Sequence, residues 1–595
     1  MNKNARSRNF IAQGSILAAT GILCRLIGML YRIPLVDIIG TVGNGYYTSA
    51  YSIYNILLII SSYSLPTAIS KVVSTRLARE RYDDVRTALK AAFLYATVMG
   101  GAACAVMYFG SDIIAEFMQK PFCRYALRTL APTVWVMAYL GILRGYFQGY
   151  GSMVPTAVSQ IFEQIVNAIV SIVMAALLFD YGMKADLIYS DTQYSYAYGA
   201  AGGTIGTGMG ALIALLFFII IFLLYGKMPA GNGGFGTVSR RRSRSSNRSS
   251  RSSNRNDYRN GYRNGQDVYN AGRSSGVRSG EKRESFLHLS KVLIITLVPI
   301  LLSSTVYNIS TVLDDLIFSR MMAGFGLTAS VVFLWGVFGE YRILFNIPVA
   351  IANSLSSSVI PSLTNAVADR ERELIRKKIR ISIQFVMLIS IPAAVGLFAL
   401  AEPICNLLFA SEDNSLLISV LRHGALAIVL YSLSTITNGL LQGLGHLADP
   451  LINSVVSLVI HVGSLIGLLY LFRDIHAVIY ANTVFAFAVC VLNLFNLHRY
   501  VSFRINRRNT FAVPAVASAF MGAAVFGISK LLMWIIPGTD SGRLGLTAVV
   551  VLCIATAAVI YAVMLVALRA FTKEELLEMP MGLRIYRLLN SFGLM

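Results

Sequence analysis

Arg144-Gly-Tyr-Phe-Gln-Gly-Tyr-Gly151 recurs 294 residues further on as Asn438-Gly-Leu-Leu-Gln-Gly-Leu-Gly445. The two segments share Gly-x-x-Gln-Gly-x-Gly, and each closes an apolar run and is soon followed by a proline, Pro155 or Pro450. A second match joins 65–90 to 355–380 at an offset of 290, with Arg86 over Arg376 and Lys90 over Arg380. Two matches at nearly one offset identify an internal repeat. Each motif ends the fourth apolar run of its half, so the repeating unit is six runs. Six is even, so the second copy enters with the orientation of the first.

The apolar runs read as membrane spans. Of 595 residues, 55% are hydrophobic and only 13% charged, and the mean hydropathy is +0.63. That charged share is about half the share in soluble domains, too little to keep such a chain in water. Runs long enough to cross ~30 Å of hydrocarbon recur about fourteen times. The expected fold is an all-α polytopic membrane protein of about 14 transmembrane helices, as two parallel six-helix lobes plus two C-terminal helices. The expected division is an N-terminal lobe at 1–226, a basic linker at 227–285 and a C-terminal lobe at 286–503. Helices thirteen and fourteen follow at 504–569, then an amphipathic tail at 570–595.

The net charge of +22 invites a nucleic-acid reading, but its distribution argues against one. Residues 226–285 hold twelve Arg and two Lys against two Asp and two Glu, so +10 sits in one short segment. Much of the rest lies in short loops, such as Arg76–Lys90, Arg370–Arg380 and Arg499–Arg508, which fall on one side of the membrane. The positive-inside rule makes that side the cytoplasm and puts both termini there, in a bacterial cytoplasmic membrane. The first run is too long for a signal peptide and carries Arg25 and Arg32, so it reads as a span. The linker is Ser, Arg, Asn and Gly without periodicity, which predicts a disordered, solvated spacer, with electrostatic attachment to anionic lipid as the alternative. The six cysteines form no CxxC pair and read as small buried hydrophobes, not as a disulfide framework or metal site.

Ionisable groups inside spans are expensive and normally face an interior or a cavity. Arg25 and Arg32 are seven residues apart, nearly two turns, and project from one face of the first span. Pro34 follows and is expected to bend the outer end of that span. Glu340 and Arg342 lie inside the eighth span on different faces, with Arg342 expected to join Arg25 across the halves. Asp314 and Asp315 sit toward the outer end of the seventh span, where one carboxylate suits Na⁺ or H⁺. Glu163 lies in the fifth span among Gln160, Gln164 and Asn167, and His461 in the eleventh. A lone helical His is more often a packing residue than a ligand. The sequence has no Walker, HExxH or GxSxG motif, so no enzyme and no cofactor is expected.

The order of these features resembles the polysaccharide-export flippases of the multidrug/oligosaccharidyl-lipid/polysaccharide exporter superfamily, closest to the stage V sporulation protein B and MurJ-type lipid II flippases. The residues that carry the resemblance are Arg25-Leu-Ile-Gly-Met-Leu-Tyr-Arg32-Ile-Pro34, Arg144–Gly151, Pro155-Thr156-Ala157, Gln160–Gln164, Tyr341-Arg342, Pro348 and Pro361. It implies a two-lobed flippase with a cationic central cavity that carries a lipid-linked cell-wall or polysaccharide precursor, lipid II-like, from the inner to the outer leaflet. It also implies substrate contacts at Arg25, Arg32 and Arg342; Glu163 and Glu340, read from their places inside spans, are further substrate-binding candidates. A cation-coupling position falls on Asp314, with Asn453 of the eleventh span as its available partner. The implied partners are the lipid-linked oligosaccharide, membrane lipids and proteins of cell-wall synthesis. The alternative within the superfamily is a cation-coupled multidrug exporter; outside it, a scaffold acting through the basic linker.

Overall fold

The computed structural model describes residues 20–21, 23–225, 284–409, 413–503, 505–535 and 543–570. Most of the linker and nearly all of the amphipathic tail expected from the sequence lie outside the described residues. The described chain is helical, with α1 at Arg32–Leu58, α2 at Leu65–Leu77, α3 at Tyr82–Tyr95, α4 at Gly101–Phe109, α5 at Ser111–Phe117, α6 at Cys123–Gly149, α7 at Val154–Tyr189 and α8 at Gln193–Tyr225. After the linker come α9 at Phe286–Gly324, α10 at Thr328–Ala368, α11 at Arg372–Ala399, α12 at Ala401–Leu408, α13 at Ser415–Gly443, α14 at Ala448–Phe472 and α15 at His476–Val501. Two more, α16 at Val513–Ile535 and α17 at Arg543–Ala567, close the described chain.

Among the described residues, twelve helices are long and apolar enough to cross a membrane. The first of these, Arg32–Leu77, is helical on both sides of Gly40 but leaves helical geometry there, at φ 67° and ψ 173°. The residues before Gly40 end one span and those after it form the next. Adding the first span and the 39-residue α9 gives the count of about fourteen. The chain is also helical over 23–30, and the helix is interrupted at Tyr31, in the turn that Pro34 leaves without one N–H donor; the departure from helical geometry at Gly40 follows. The faces of α7, α8, α14, α16 and α17 expose Ile169, Leu223, Val459, Phe520 and Val559, as a bilayer requires and water does not tolerate.

The repeat is visible in matching contacts. In α6, Gly149 packs on Val73 of α2; in α13, Gly443 packs on Leu363 of α10. Val73 and Leu363 are themselves 290 residues apart, the offset of the second sequence match. Both helices end alike: Gly151 and Gly445 take φ of +82° and +91°. Ser152 N donates to Phe147 O at 3.1 Å, and His446 N to Leu441 O at 3.0 Å. This is the left-handed glycine cap that satisfies the last carbonyls of a helix. The quoted motif therefore does two jobs in each half: small residues for close helix approach and a glycine for the turn. The halves meet where α9 and α10 pack on α1, with α9 also touching α2 and α3. Helices α16 and α17 pack on α11 and α12 of the second half.

Candidate functional site

On the side away from the linker, the halves are tightly closed. Helices α1 and α10 cross almost backbone to backbone. A Cβ on Gly336 would stand 1.9 Å from Thr41 O, and one on Gly45 would stand 2.1 Å from Val332 O. Asn44 Nδ2 donates to Gly336 O at 2.9 Å across the crossing. Glu340 is buried here, near Thr41 and Asp37, with its Oε1 lacking a hydrogen-bond partner among the described residues. Beside the crossing, Lys120 Nζ donates to Asp315 Oδ1 at 2.5 Å and to Ser49 Oγ at 2.8 Å, and lies 4.8 Å from the Trp335 ring centroid. Arg320 Nε donates to Phe117 O at 2.8 Å nearby.

Toward the linker the helices part around a cavity of about 170 Å³, lined by Asp314, Phe338, Tyr341, Arg342, Tyr431 and Asn482 among others. A second cavity of about 470 Å³ follows and shares Asn308 and Asn353 with the first. The Arg342 guanidinium lies 5.9 Å from the Phe338 ring centroid and within electrostatic reach of Asp314, Tyr431 and Arg32. Arg32 projects from the first half over the rings of Tyr47 and Tyr51, at 4.9 and 5.5 Å from their centroids. The Tyr31 and Tyr47 hydroxyls are 3.4 Å apart, and Asn167 Nδ2 donates to the Tyr31 hydroxyl at 3.3 Å. Neither Arg32 nor Arg342 forms an ion pair among the described residues. Two guanidinium groups, one from each half, thus lie within electrostatic reach of each other without an ion pair, beside aromatic rings that attract a cation but do not neutralise it.

Asp314 is fixed from the second half. Its Oδ1 lies 2.5 Å from His461 Nε2, and its Oδ2 accepts from Asn482 Nδ2 at 2.9 Å. The Tyr431 hydroxyl donates to Asn482 Oδ1 at 2.8 Å. His461 Nδ1 lies 2.9 Å from Ala481 O, an acceptor only, so Nδ1 carries a proton. The contact between Nε2 and Oδ1 then needs a second proton, on the imidazole or on the carboxyl. The pair is built to hold a proton. Asp315, one residue on, is rotated about 100° around α9 and faces Lys120 instead. The tandem aspartates serve two different partners, one within the second half and one across to the first.

The sequence candidates separate into distinct places. Arg342 and Asp314 line the smaller cavity, and Arg32 lies outside its lining but within electrostatic reach of Arg342. Arg25 is exposed, about 10 Å along the helix from Arg32. Glu163 is paired with Arg144 at 2.6 Å, and Arg144 also reaches Ser159 Oγ at 3.2 Å, within the first half. Glu340 belongs to the α1–α10 crossing. Asn453 donates to Asn493 Oδ1 at 2.8 Å, eight residues and about 12 Å along α14 from His461, in a network separate from Asp314. The side chains that sequence reasoning passed over are Lys120 and the tyrosines around Arg32. The signal for Lys120 was the tandem Asp314-Asp315: adjacent helical residues cannot share one partner. Among the described residues, no cluster of three or more His, Cys, Asp or Glu side chains could hold a metal ion.

The resemblance read from the sequence is found again by direct comparison. A family model described as "Polysaccharide biosynthesis protein" matches residues 10–250, and one described as "Lipid II flippase MurJ" matches residues 267–538. A Bacillus subtilis protein described as "Uncharacterized membrane protein YabM" is 24% identical over 98% of this chain and 97% of its own. The Bacillus subtilis lipid II flippase MurJ is 23% identical over 91% of this chain and 92% of its own. Among solved structures, "Lipid II flippase MurJ, inward closed conformation" superposes with a TM-score of 0.60 at 13% identity, over 92% of this chain and 98% of that one. The likeness in structure is one of fold.

Proposed function

We propose that the chain is a flippase that carries a lipid-linked, pyrophosphate-bearing cell-wall or polysaccharide precursor, lipid II-like, between the leaflets of the bacterial cytoplasmic membrane. The observation that carries this reading is the pair of arginines, Arg32 of the first half and Arg342 of the second, within electrostatic reach of each other and without ion-pair partners among the described residues. A pyrophosphate cannot cross hydrocarbon alone. Two guanidinium groups in a largely dry cavity bind it through forked, charge-assisted hydrogen bonds, while the lipid tail stays in the bilayer. Opening the far side and closing the linker side then exposes the head group to the other leaflet. The inside-negative potential favours return of the empty cationic site, by about 2.3 kcal/mol per charge per 100 mV. Asp314 with His461 supplies a coupling site, and its geometry suits H⁺ better than Na⁺. A multidrug exporter of the same superfamily, suited to cationic drugs, fits poorly with an arginine lining the cavity and a second within electrostatic reach of it. The reaction moves its cargo and changes no bond, so no catalytic residue is assigned.

The test uses the full chain in proteoliposomes loaded with a fluorescent polyprenyl-pyrophosphate-linked sugar, with leaflet exposure read by a membrane-impermeant quencher. Arg32→Ala and Arg342→Ala should each slow translocation at least about tenfold, the size of one lost charge-assisted contact. Wild-type rates in both variants overturn the cationic-cavity mechanism.

A further inference from the structure

The larger cavity, about 470 Å³, is polar yet has no charged side chain in its lining among the described residues. That volume is within the range of about 300–1,000 Å³ typical of ligand sites. Asn55 of the first half faces Asn353, Asn438 and Gln442 of the second, and Ser357 and Ser454 add hydroxyls. Carboxamides inside a bilayer normally satisfy one another as glue between helices. A neighbouring cluster does so: Asn453 bonds Asn493, which bonds Asn438 and Thr437. The side chains of Asn55, Asn353 and Gln442 make no such bond among the described residues.

The internal repeat sharpens this contrast. Gln148 is the first-half counterpart of Gln442, and its Nε2 is directed at Thr156 Oγ1 at 3.4 Å. The position equivalent to Thr156 is Pro450, which has no hydroxyl to offer. The same glutamine that is engaged within the first half is released into the cavity in the second. A carboxamide pairs a donor with an acceptor on one flat group, which matches neighbouring sugar hydroxyls and the amide of an acetamido group. Because Asn308 and Asn353 border both cavities, whatever occupies the larger one is directly continuous with what Arg342 binds.

We infer that this carboxamide-lined cavity is the compartment for an uncharged, hydroxyl- and acetamido-bearing sugar attached to the pyrophosphate. The inference rests on the flippase reading above and adds to it a site of selectivity. The arginines hold the charge common to all such lipids; Asn55 and Gln442 read what is attached to it, one from each half, so that the sugar bridges the interface.

The test measures binding of two probes to the full chain in nanodiscs: polyprenyl pyrophosphate, and the same lipid carrying an N-acetylated disaccharide. The wild type should bind the glycosylated probe at least about fivefold more tightly, the equivalent of one net hydrogen bond. Asn55→Leu and Gln442→Leu should each remove most of that preference, while Gln442→Asn restores part of it. Bare pyrophosphate lipid binding in the same variants reports that the cavity is folded. Arg342→Ala should weaken both probes together. Equal wild-type affinity for the two probes, or a preference that survives both leucine variants, overturns the sugar compartment and leaves the flippase reading standing. A wild type that binds neither probe overturns both.

Discussion

Lys120 Nζ and Asp315 Oδ1 are 2.5 Å apart, both side chains are fully buried, and the bond joins the first half to the second. Asp315 belongs to α9, and Lys120 sits between α5 and α6. The pair is on the closed side, and opening that side must break it. Removing one partner of a buried ion pair costs about 3–5 kcal/mol because the other charge is left uncompensated. Lys120→Met should therefore destabilise the closed state. Cys123 is a native reporter, since it is fully buried next to the pair with its Sγ 3.5 Å from Tyr46 O. In a chain with Cys123 as sole cysteine, Lys120→Met should raise its labelling by an impermeant maleimide at least about tenfold. The double variant Lys120→Met/Asp315→Leu should return labelling toward the wild-type rate. Unchanged labelling in the single variant would show that the pair does not hold the closure.

The α1–α10 crossing makes a steric prediction on the same reporter. A methyl at Gly336 would be placed 1.9 Å from the backbone carbonyl of Thr41, and neither helix can yield there without separating. Overpacking of this kind costs about 1–3 kcal/mol. Gly336→Ala should increase Cys123 labelling and reduce translocation, whereas Gly463→Ala, with open space around it, should change neither. Normal transport by Gly336→Ala would mean that the crossing is not tight in the working cycle.

Much of the fold was legible because it is written in local chemistry. Span length and composition are read from consecutive residues, and the repeat offsets of 294 and 290 led directly to the Gly149–Val73 and Gly443–Leu363 contacts. The site was less legible because its pairings are long-range. Lys120 and Asp315 are separated by 195 positions, and His461 and Asp314 by 147. No periodicity announces either pair. Spacing put Arg25 and Arg32 on one face, yet only Arg32 meets the tyrosines, because the rings come from α1 beyond the Gly40 break. Asn453 was a plausible partner for Asp314 by residue type, but two helical turns and its own asparagine network keep it apart.

The Asp314–His461 pair predicts proton coupling. With Nδ1 committed to Ala481 O, the pair must hold a proton in the closed arrangement. Asp314→Asn removes the ionisable carboxyl, while its amide can donate to His461 Nε2 and its oxygen can still accept from Asn482 Nδ2. It should bind the pyrophosphate lipid as the wild type does, and its translocation should no longer respond to an imposed pH gradient in proteoliposomes. His461→Asn should behave similarly. Stimulation by a sodium gradient but not a pH gradient in the wild type would sink the proton assignment.

The last prediction concerns how Arg32 is held. Its guanidinium has rings, not carboxylates, as neighbours, at 4.9 Å from Tyr47 and 5.5 Å from Tyr51. A cation–π contact in a desolvated place is worth about 0.5–2 kcal/mol, and it leaves the full positive charge available to an anion. An acidic neighbour would have fixed the same side chain and cancelled that charge. Tyr47→Leu should therefore loosen the arginine and weaken pyrophosphate-lipid binding by about 2- to 30-fold, the range that this contact energy implies. Tyr47→Phe, which keeps the ring, should lose much less. Arg32→Lys retains charge but not the planar fork, so it should bind more weakly than the wild type and more strongly than Arg32→Ala. Isothermal titration of nanodisc-held protein with polyprenyl pyrophosphate ranks the four variants. If Tyr47→Phe and Tyr47→Leu lose affinity equally, the ring is not what positions Arg32 and the hydroxyl must take that role.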